Sequence, residues 1–366
     1  MVRPPKLVIL KTPVESGNIH SPAFIVNEQI CRSNISRMAE KARLNKLIFR
    51  PHFKTHQSVE IGEWFRAEGV NAITVSSVSM AHKFADAGWG DITIAFPLNI
   101  REIDEINQLA GKISLNILID MPEQISALST SLKHPVGFYI KIDLGYHRAG
   151  IEPANTELIE RIIGYSKSGQ LTFKGFLTHS GNTYQASGKQ EIFAIHESAA
   201  LELSKLKRKY QSEYPGIIVS CGDTPSCSLA EDFSEIDEIR PGNFVFYDLM
   251  QLRIGSCKFN EIAAAVVCPV VSVYPKRNEA LIYGGAVHLS KEAIINADGS
   301  RNYGLVVPFV DGRWQSPMGD DWLVSLSQEH GIFKTESTWA KSLSAGDLVA
   351  VIPGHSCLSA DLLLSR

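Results

Sequence analysis

The apolar positions follow two rhythms along the chain. From about residue 45 to 245, short apolar runs alternate with stretches whose apolar residues recur at helical spacing. The runs predict strands at 47–50, 72–75, 91–95, 115–119, 137–142, 173–178, 217–220 and 236–240. Between them, Val59, Ile61, Trp64 and Phe65 share one helical face, and Met80, Phe84 and Ala87 another. Two further helices are expected over 157–165 and 191–210. Eight strands alternating with helices predict an α/β chain with a (β/α)8 TIM-like barrel rather than an open sheet. After Gly255 the rhythm changes. Apolar runs at 262–273, 280–283, 322–327 and 347–352 are separated by Gly, Pro, Asn and Asp clusters, with no long helical pattern between them. That is the pattern of a β domain. Residues 7–10 and 23–26 also read as short strands, which either join the β domain or close the base of the barrel. The expected division is a barrel at 28–255 and a β domain made of 1–27 and 256–366.

Composition narrows the classes. With 44% apolar and 20% charged residues in 366, the chain is of the soluble globular kind, long enough for two domains or a large barrel with an appendage. A net charge of −3 makes no electrostatic case for nucleic acid or an anionic membrane. The longest apolar run, 262–273, falls short of a membrane span. The opening Met1-Val-Arg-Pro-Pro-Lys lacks the apolar core of a secretory signal. Six scattered cysteines without a CxxC pair fit a reduced, cytoplasmic protein.

In a barrel of this type the chemistry gathers at the carboxyl ends of the strands, and polar residues cluster there. Strand one runs into Arg50-Pro51-His52-Phe53-Lys54-Thr55-His56. Repulsion among these cations, and loss of hydration near a core, both favour a neutral lysine, which is what a Schiff-base lysine needs. Strand five ends in Lys141, Asp143, His147 and Arg148, and strand six in His179, Asn182 and Tyr184. Strand seven ends in Gly222-Asp223-Thr224, and strand eight in Arg240-Pro241-Gly242-Asn243. Any one of these is also what an ordinary polar turn looks like. The two glycine-bearing loops offer backbone N–H groups of the kind that cradle a phosphate. Near the end lies Pro353-Gly354-His355-Ser356-Cys357. On an extended backbone His355 and Cys357 point the same way, and imidazole with thiolate suits zinc. Read alone, the pair is more simply a buried cysteine beside a histidine.

The strings RPHFKTH (50–56), KIDLGYHRAGI (141–151), HSGNTY (179–184), GDTPSCS (222–228), RPGNFVFYDLMQ (240–251), SQEHG (327–331) and PGHSC (353–357) occur in this order. Together they resemble the pyridoxal-phosphate enzymes with an alanine-racemase-type barrel, and more closely the metal-dependent group of D-serine dehydratases and D-threonine aldolases. The resemblance implies that Lys54 carries pyridoxal 5'-phosphate and moves the α-proton. It gives His179 a place against the cofactor ring, Arg148 a contact to the phenolic oxygen, and Tyr184 a contact to substrate or cofactor. It places Gly222, Thr224, Gly242 and Asn243 around the phosphate, with His52 and Asp223 beside them and Arg240 toward the ring nitrogen. His355 and Cys357 become a metal pair, for zinc or alternatively manganese. Aldolases of this group tend to carry His-x-Asp at the metal position and dehydratases His-x-Cys. Cys357 therefore favours loss of water from a D-3-hydroxy amino acid, D-serine giving pyruvate and ammonia. The alternatives are retro-aldol cleavage of D-threonine, with His52, His179 or His288 as base, and racemisation. A homodimer is implied, with a small D-amino acid as substrate and no nucleic-acid or membrane partner. Two departures stand out: the segment 284–291, GGAVHLSK, and Asp223 where a serine is more usual.

Overall fold

Strand and helix alternate through the first two thirds of the chain as the apolar rhythm requires. The structure is a computed structural model and describes residues 8–10, 19–167 and 169–364. The chain forms two compact units, one of Ile35–Gly242 and one joining the segment up to Asn34 with Asn243 onward. It opens with strands β1 (Val8–Leu10) and β2 (Ala23–Asn27) and helix α1 (Glu28–Leu44).

The larger unit contains β3 (Ile48–Phe49), β4 (Ile73–Val75), β5 (Asp91–Pro97), β6 (Ser114–Ile119), β7 (Val136–Lys141), β8 (Leu171–Leu177), β9 (Ile218–Cys221) and β10 (Glu238–Ile239). All pair in parallel, in the order β3-β10-β9-β8-β7-β6-β5-β4. The ring closes just past β3. His52 bridges Thr74 of β4, the Phe53 N–H donates to the Thr74 carbonyl at 2.8 Å, and the Thr74 N–H to the Pro51 carbonyl at 2.9 Å. Pro51 has no N–H to give, which is why regular pairing of β3 stops short and closure passes to the residues around it. Strand β7, VGFYIK, is buried along its whole length, as a strand covered on both faces must be.

Helices α2 (Val59–Ala67) and α3 (Val78–Asp86) start where Ser58 and Ser77 cap them, each side chain accepting an N–H three residues on. Then come α4 (Ile103–Ala110), α5 (Pro122–Ser131), α6 (Thr156–Gly164), α7 (Lys189–Tyr210) and α8 (Thr224–Leu229). Sequence periodicity missed α1, α4, α5 and α8. The α5 segment PEQISALSTS buries only Pro122, Ile125 and Leu128, too thin a stripe to stand out.

In the second unit the central strand is β11 (Ala264–Tyr274). Its first part pairs β2 on one side, and β19 (Leu348–Pro353) on the other; its second part pairs β12 (Glu279–Tyr283). The hairpin β13 (Ile294–Ile295) and β14 (Arg301–Asn302) stands apart. With β15 (Gly304–Val310), β16 (Arg313–Trp314), β17 (Leu323–Leu326) and β18 (His330–Lys334), the sheet runs β16-β15-β19-β11-β12-β18-β17. Short helices α9 (Leu249–Arg253), α10 (Ala286–Leu289) and α11 (Thr338–Lys341) and the longer α12 (Ser356–Leu364) decorate it. The pairing of β2 with β11 and of β1 with β2 settles the placement of the N-terminal strands: they belong to the β sheet and not to the barrel base. Leu7 lies outside the described residues. No helix among the described residues is long and apolar enough to cross a membrane, and none of the six buried cysteines forms a disulfide.

Candidate active site

The loops that follow the barrel strands bring most of the expected residues together. Lys54 is exposed, two residues past the closing bridge at His52. The dehydration expected for it is therefore not found. The buried lysine of the mouth is Lys141, the last residue of β7, which the sequence reading placed at the end of strand five without giving it a role. Burial first, then the neighbouring Arg240 and Arg148 guanidiniums, push its ammonium down to about 7.

His52 and His179 are both driven well below the ordinary histidine range. For His52 the causes are burial and the charges of Lys54, Arg240, His179 and Arg148. For His179 burial comes first; the bond to the Gly222 carbonyl is the next largest influence and opposes it, and the charges of Lys141, Arg148 and Lys54 add to the lowering. Both rings are therefore neutral at working pH. His179 Nδ1 faces the Gly222 carbonyl, which can only accept, so Nδ1 carries the proton and Nε2 is the basic nitrogen. His52 Nδ1 accepts the Lys54 backbone N–H at 3.4 Å.

Tyr146 was overlooked in the sequence and is a wall of this mouth. Its ring meets the His179 ring edge-on at 6.0 Å and lies under the Arg148 guanidinium at 5.1 Å. A Cβ on Gly181 would sit 2.3 Å from that ring, so only glycine lets the GNTY turn close over it. Tyr184 completes the turn, its hydroxyl accepting the Thr224 N–H at 3.3 Å. Gly242 is needed for the same steric reason, since a Cβ there would lie 2.8 Å from the His52 carbonyl oxygen.

Asp223 is occupied with local structure. Its Oδ1 accepts from Thr183 Oγ1 at 3.0 Å and from the Ser226 N–H at 2.7 Å, which caps α8. Burial pushes its carboxyl up. Asp143 is likewise tied into its own loop by the N–H groups of Gly145 and His147 and by the His147 ring. Arg240 donates from Nε to Ser220 Oγ at 2.7 Å and from an Nη to the Thr178 carbonyl. The mouth thus gathers Lys54, Lys141, Arg148 and Arg240 around two neutral histidines. That donor set suits an anion, and an amine within it suits a carbonyl.

The second cluster lies in the β unit. Asp248, wholly buried, caps α9 through the Gln251 N–H at 3.0 Å. Its Oδ2 takes His355 Nδ1 at 2.9 Å, the Ser356 N–H at 3.0 Å and Asn243 Nδ2 at 2.8 Å. Asn243 Nδ2 also reaches Ser356 Oγ at 2.8 Å and lies 3.6 Å from Cys357 Sγ, while its buried Oδ1 finds no partner among the described residues. The Asn243 side chain, expected at a phosphate, is thus committed to this cluster. Burial opposes protonation of His355, but Cys357 and Asp248 outweigh it and raise the imidazole well above its ordinary range. One expectation is corrected in its geometry. Cys357 is not on an extended strand; it sits in the first turn of α12, and contact with His355 comes from the turn between β19 and α12. With Nδ1 held by a carboxylate, the imidazole and the thiol beside it form a donor pair whose chemistry suits a soft divalent cation. No third His, Cys, Asp or Glu joins them in a metal-binding group among the described residues.

The family profile described as alanine racemase, N-terminal domain, matches residues 26–249, and that of a serine dehydratase domain matches 263–364. The D-serine dehydratase of Dictyostelium discoideum is 31% identical, over 94% of this chain and 92% of its own length. The D-threo-3-hydroxyaspartate dehydratase from Delftia sp. HT23 superposes with a TM-score of 0.86 at 25% identity, covering 95% of this chain and 93% of that one. A cysteine-to-alanine mutant of D-threo-3-hydroxyaspartate dehydratase, solved in the metal-free form, gives 0.87 at the same identity and coverage. The D-threonine aldolase from Filomicrobium marinum, at 22% identity over 95% of this chain and 90% of that one, shares the fold with a TM-score of 0.80. By profile match and by this identity over nearly its whole length, the chain belongs to the D-serine dehydratase family, built on an alanine racemase N-terminal domain.

Proposed function

We propose that the protein is a lyase that removes water from a D-3-hydroxy amino acid, with D-serine to pyruvate and ammonia as its reaction, using pyridoxal 5'-phosphate and a divalent metal. The observation that carries this reading is the His355–Cys357 pair backed by Asp248, next to membership of a dehydratase family. That a D-threo-3-hydroxyaspartate dehydratase mutant was solved in a metal-free form supports a metal in that relative. Zinc is the metal we propose, on the chemistry of imidazole and thiolate.

When bound, the cofactor supplies an electron sink for charge at the substrate Cα, and the metal a Lewis acid for the leaving hydroxyl. This chain's residues do the rest. Lys54 would hold the cofactor through its amine and, as the free amine, would take the proton from Cα. His179, neutral and fixed by its Gly222 bond, presents a flat uncharged face. Arg148, seated on Tyr146, and Arg240, seated on Ser220 and Thr178, hold oxygen and nitrogen atoms of the bound group in place. The loops at Gly222–Thr224 and Gly242 supply close backbone approach for a phosphate, and Tyr184 braces the first of them. His355 and Cys357 would hold the metal, with Asp248 fixing the imidazole tautomer.

The test is an incubation with D-serine and with D-threonine, with and without chelator, in which keto acid, ammonia and glycine are assayed separately. Keto acid and ammonia that disappear on chelation are expected. Glycine and acetaldehyde from D-threonine would make the protein an aldolase, and D-to-L conversion without ammonia a racemase.

A further inference from the structure

The barrel interior holds a charged network that the reading above leaves unused. Glu238, the first residue of β10, is wholly buried. Its Oε2 accepts from Arg50 Nε at 2.7 Å, and its Oε1 from Ser220 Oγ at 2.6 Å. Arg50 in turn grips Asp91 with two bonds, at 2.6 and 3.2 Å. Asn116 reaches Asp91 at 3.4 Å. At the other end Ser220 Oγ accepts from Arg240 Nε at 2.7 Å. The chain of bonds therefore runs from the strand starts, where Asp91 and Glu238 lie, to Arg240 just past the end of β10.

We propose that Glu238 is a positioning residue for Arg240: acting through the Ser220 hydroxyl, it fixes the guanidinium plane and holds its charge at the barrel mouth. The inference rests on the reading that Arg240 faces the bound cofactor. A serine hydroxyl has one proton. Because Glu238 can only accept, that proton is committed to Glu238, and the oxygen's lone pairs are turned toward Arg240 Nε. The bonds from Arg240 to the Thr178 carbonyl, and at 3.4 Å to the Ser220 carbonyl, then lock the plane. Charge supports the same role. Burial works against the Arg240 cation, and Glu238 is the first group that opposes this loss. Arg50 already has Asp91, so a purely structural ion pair would need neither Glu238 Oε1 nor the relay to Ser220.

Ser220→Ala removes the relay and leaves the Glu238–Arg50 pair intact, while Ser220→Thr keeps the hydroxyl. Pyridoxal phosphate is titrated into the cofactor-free wild type and both variants, and affinity, the absorption band of the bound cofactor and the melting temperature of the cofactor-free protein are recorded. Loss of a hydrogen bond to a buried charge predicts affinity roughly ten- to a hundredfold weaker in Ser220→Ala. A displaced band, recovery in Ser220→Thr and a nearly unchanged melting temperature are expected with it. Glu238→Gln should move affinity and band in the same direction. Wild-type affinity and spectrum in Ser220→Ala would overturn the proposal, as would a loss of affinity that only follows a loss of melting temperature. A wild type that takes up no pyridoxal phosphate would instead overturn the reading of the site on which it rests.

Discussion

The two clusters use histidine in opposite ways. At the barrel mouth, His52 and His179 lie among Lys54, Lys141, Arg148 and Arg240, and both imidazoles are pushed to the neutral form. In the β unit, His355 lies against the buried Asp248 and beside Cys357, and its imidazole is pushed toward holding a proton. The side chain is the same and the neighbours differ. A ring kept neutral among cations leaves the surrounding positive charge for an anion. A ring that holds a proton between a carboxylate and a thiol marks a place where a metal cation can replace that proton.

The largest effect expected on this contrast comes from Lys54→Ala. Loss of the amine proposed to hold the cofactor and move a proton should cost on the order of 10²–10⁴-fold or more in keto acid formation. Lys54 is exposed, so the melting temperature should stay close to wild type. Turnover that survives in this variant would remove the mouth from the chemistry altogether.

Asp248→Asn tests the other cluster. The amide cannot anchor His355 as the carboxylate does, and a roughly 10- to 100-fold loss of metal affinity is expected. Metal content after dialysis and recovery of activity with added zinc would show it. Pyridoxal phosphate affinity should not move. If the two affinities fell together, the clusters would not be the separate anion and cation sites described above.

Most of the barrel was legible because its signal is local. Buried runs such as VGFYIK, broken by serine caps at Ser58 and Ser77, need no knowledge of the fold. The site was legible as a set of strand ends and less so as individual environments. Lys54 was expected to be dehydrated, yet it lies beyond Pro51, where strand alternation no longer says which way a side chain points. Lys141 sits in register at the end of a buried strand, and it is the lysine that loses its hydration. Glu238 and Arg50 are 188 residues apart, and no periodicity or spacing rule connects them. Tyr146 had no motif of its own; its meaning comes from Gly181, on which it rests.

The Lys141 ammonium gives the mouth a pH signature. Its value in the folded protein, about 7, lies below the ordinary lysine range. Between the two values the unfolded chain holds a proton that the folded chain lacks, so stability of the cofactor-free protein rises with pH over that interval, and falls as pH drops toward 7. An anion bound at the mouth draws the proton back. Cofactor affinity should therefore weaken as pH rises above about 7, with a slope approaching tenfold per pH unit from this group. Lys141→Met should flatten the profile by up to one proton, as read from cofactor titrations at several pH values.

The smallest effect expected is that of Asp223→Ser, and it sharpens the contrast most finely. An acid beside a phosphate loop would weaken anion binding if it faced the anion as a carboxylate. The structure gives Asp223 a different task, capping α8 at Ser226 and receiving the Thr183 hydroxyl. Serine caps a helix about as well as aspartate, so the Thr183 bond is the principal loss, about 1 kcal/mol. A melting temperature a few degrees lower and a cofactor affinity within about twofold of wild type are expected, the latter because an equilibrium responds by tenfold only to ~1.4 kcal/mol. An affinity gain of tenfold or more on removing the acid would show that Asp223 acts on the mouth as a charge. The division between a cation-lined mouth and a carboxylate-backed histidine–cysteine pair would then need a carboxylate on both sides.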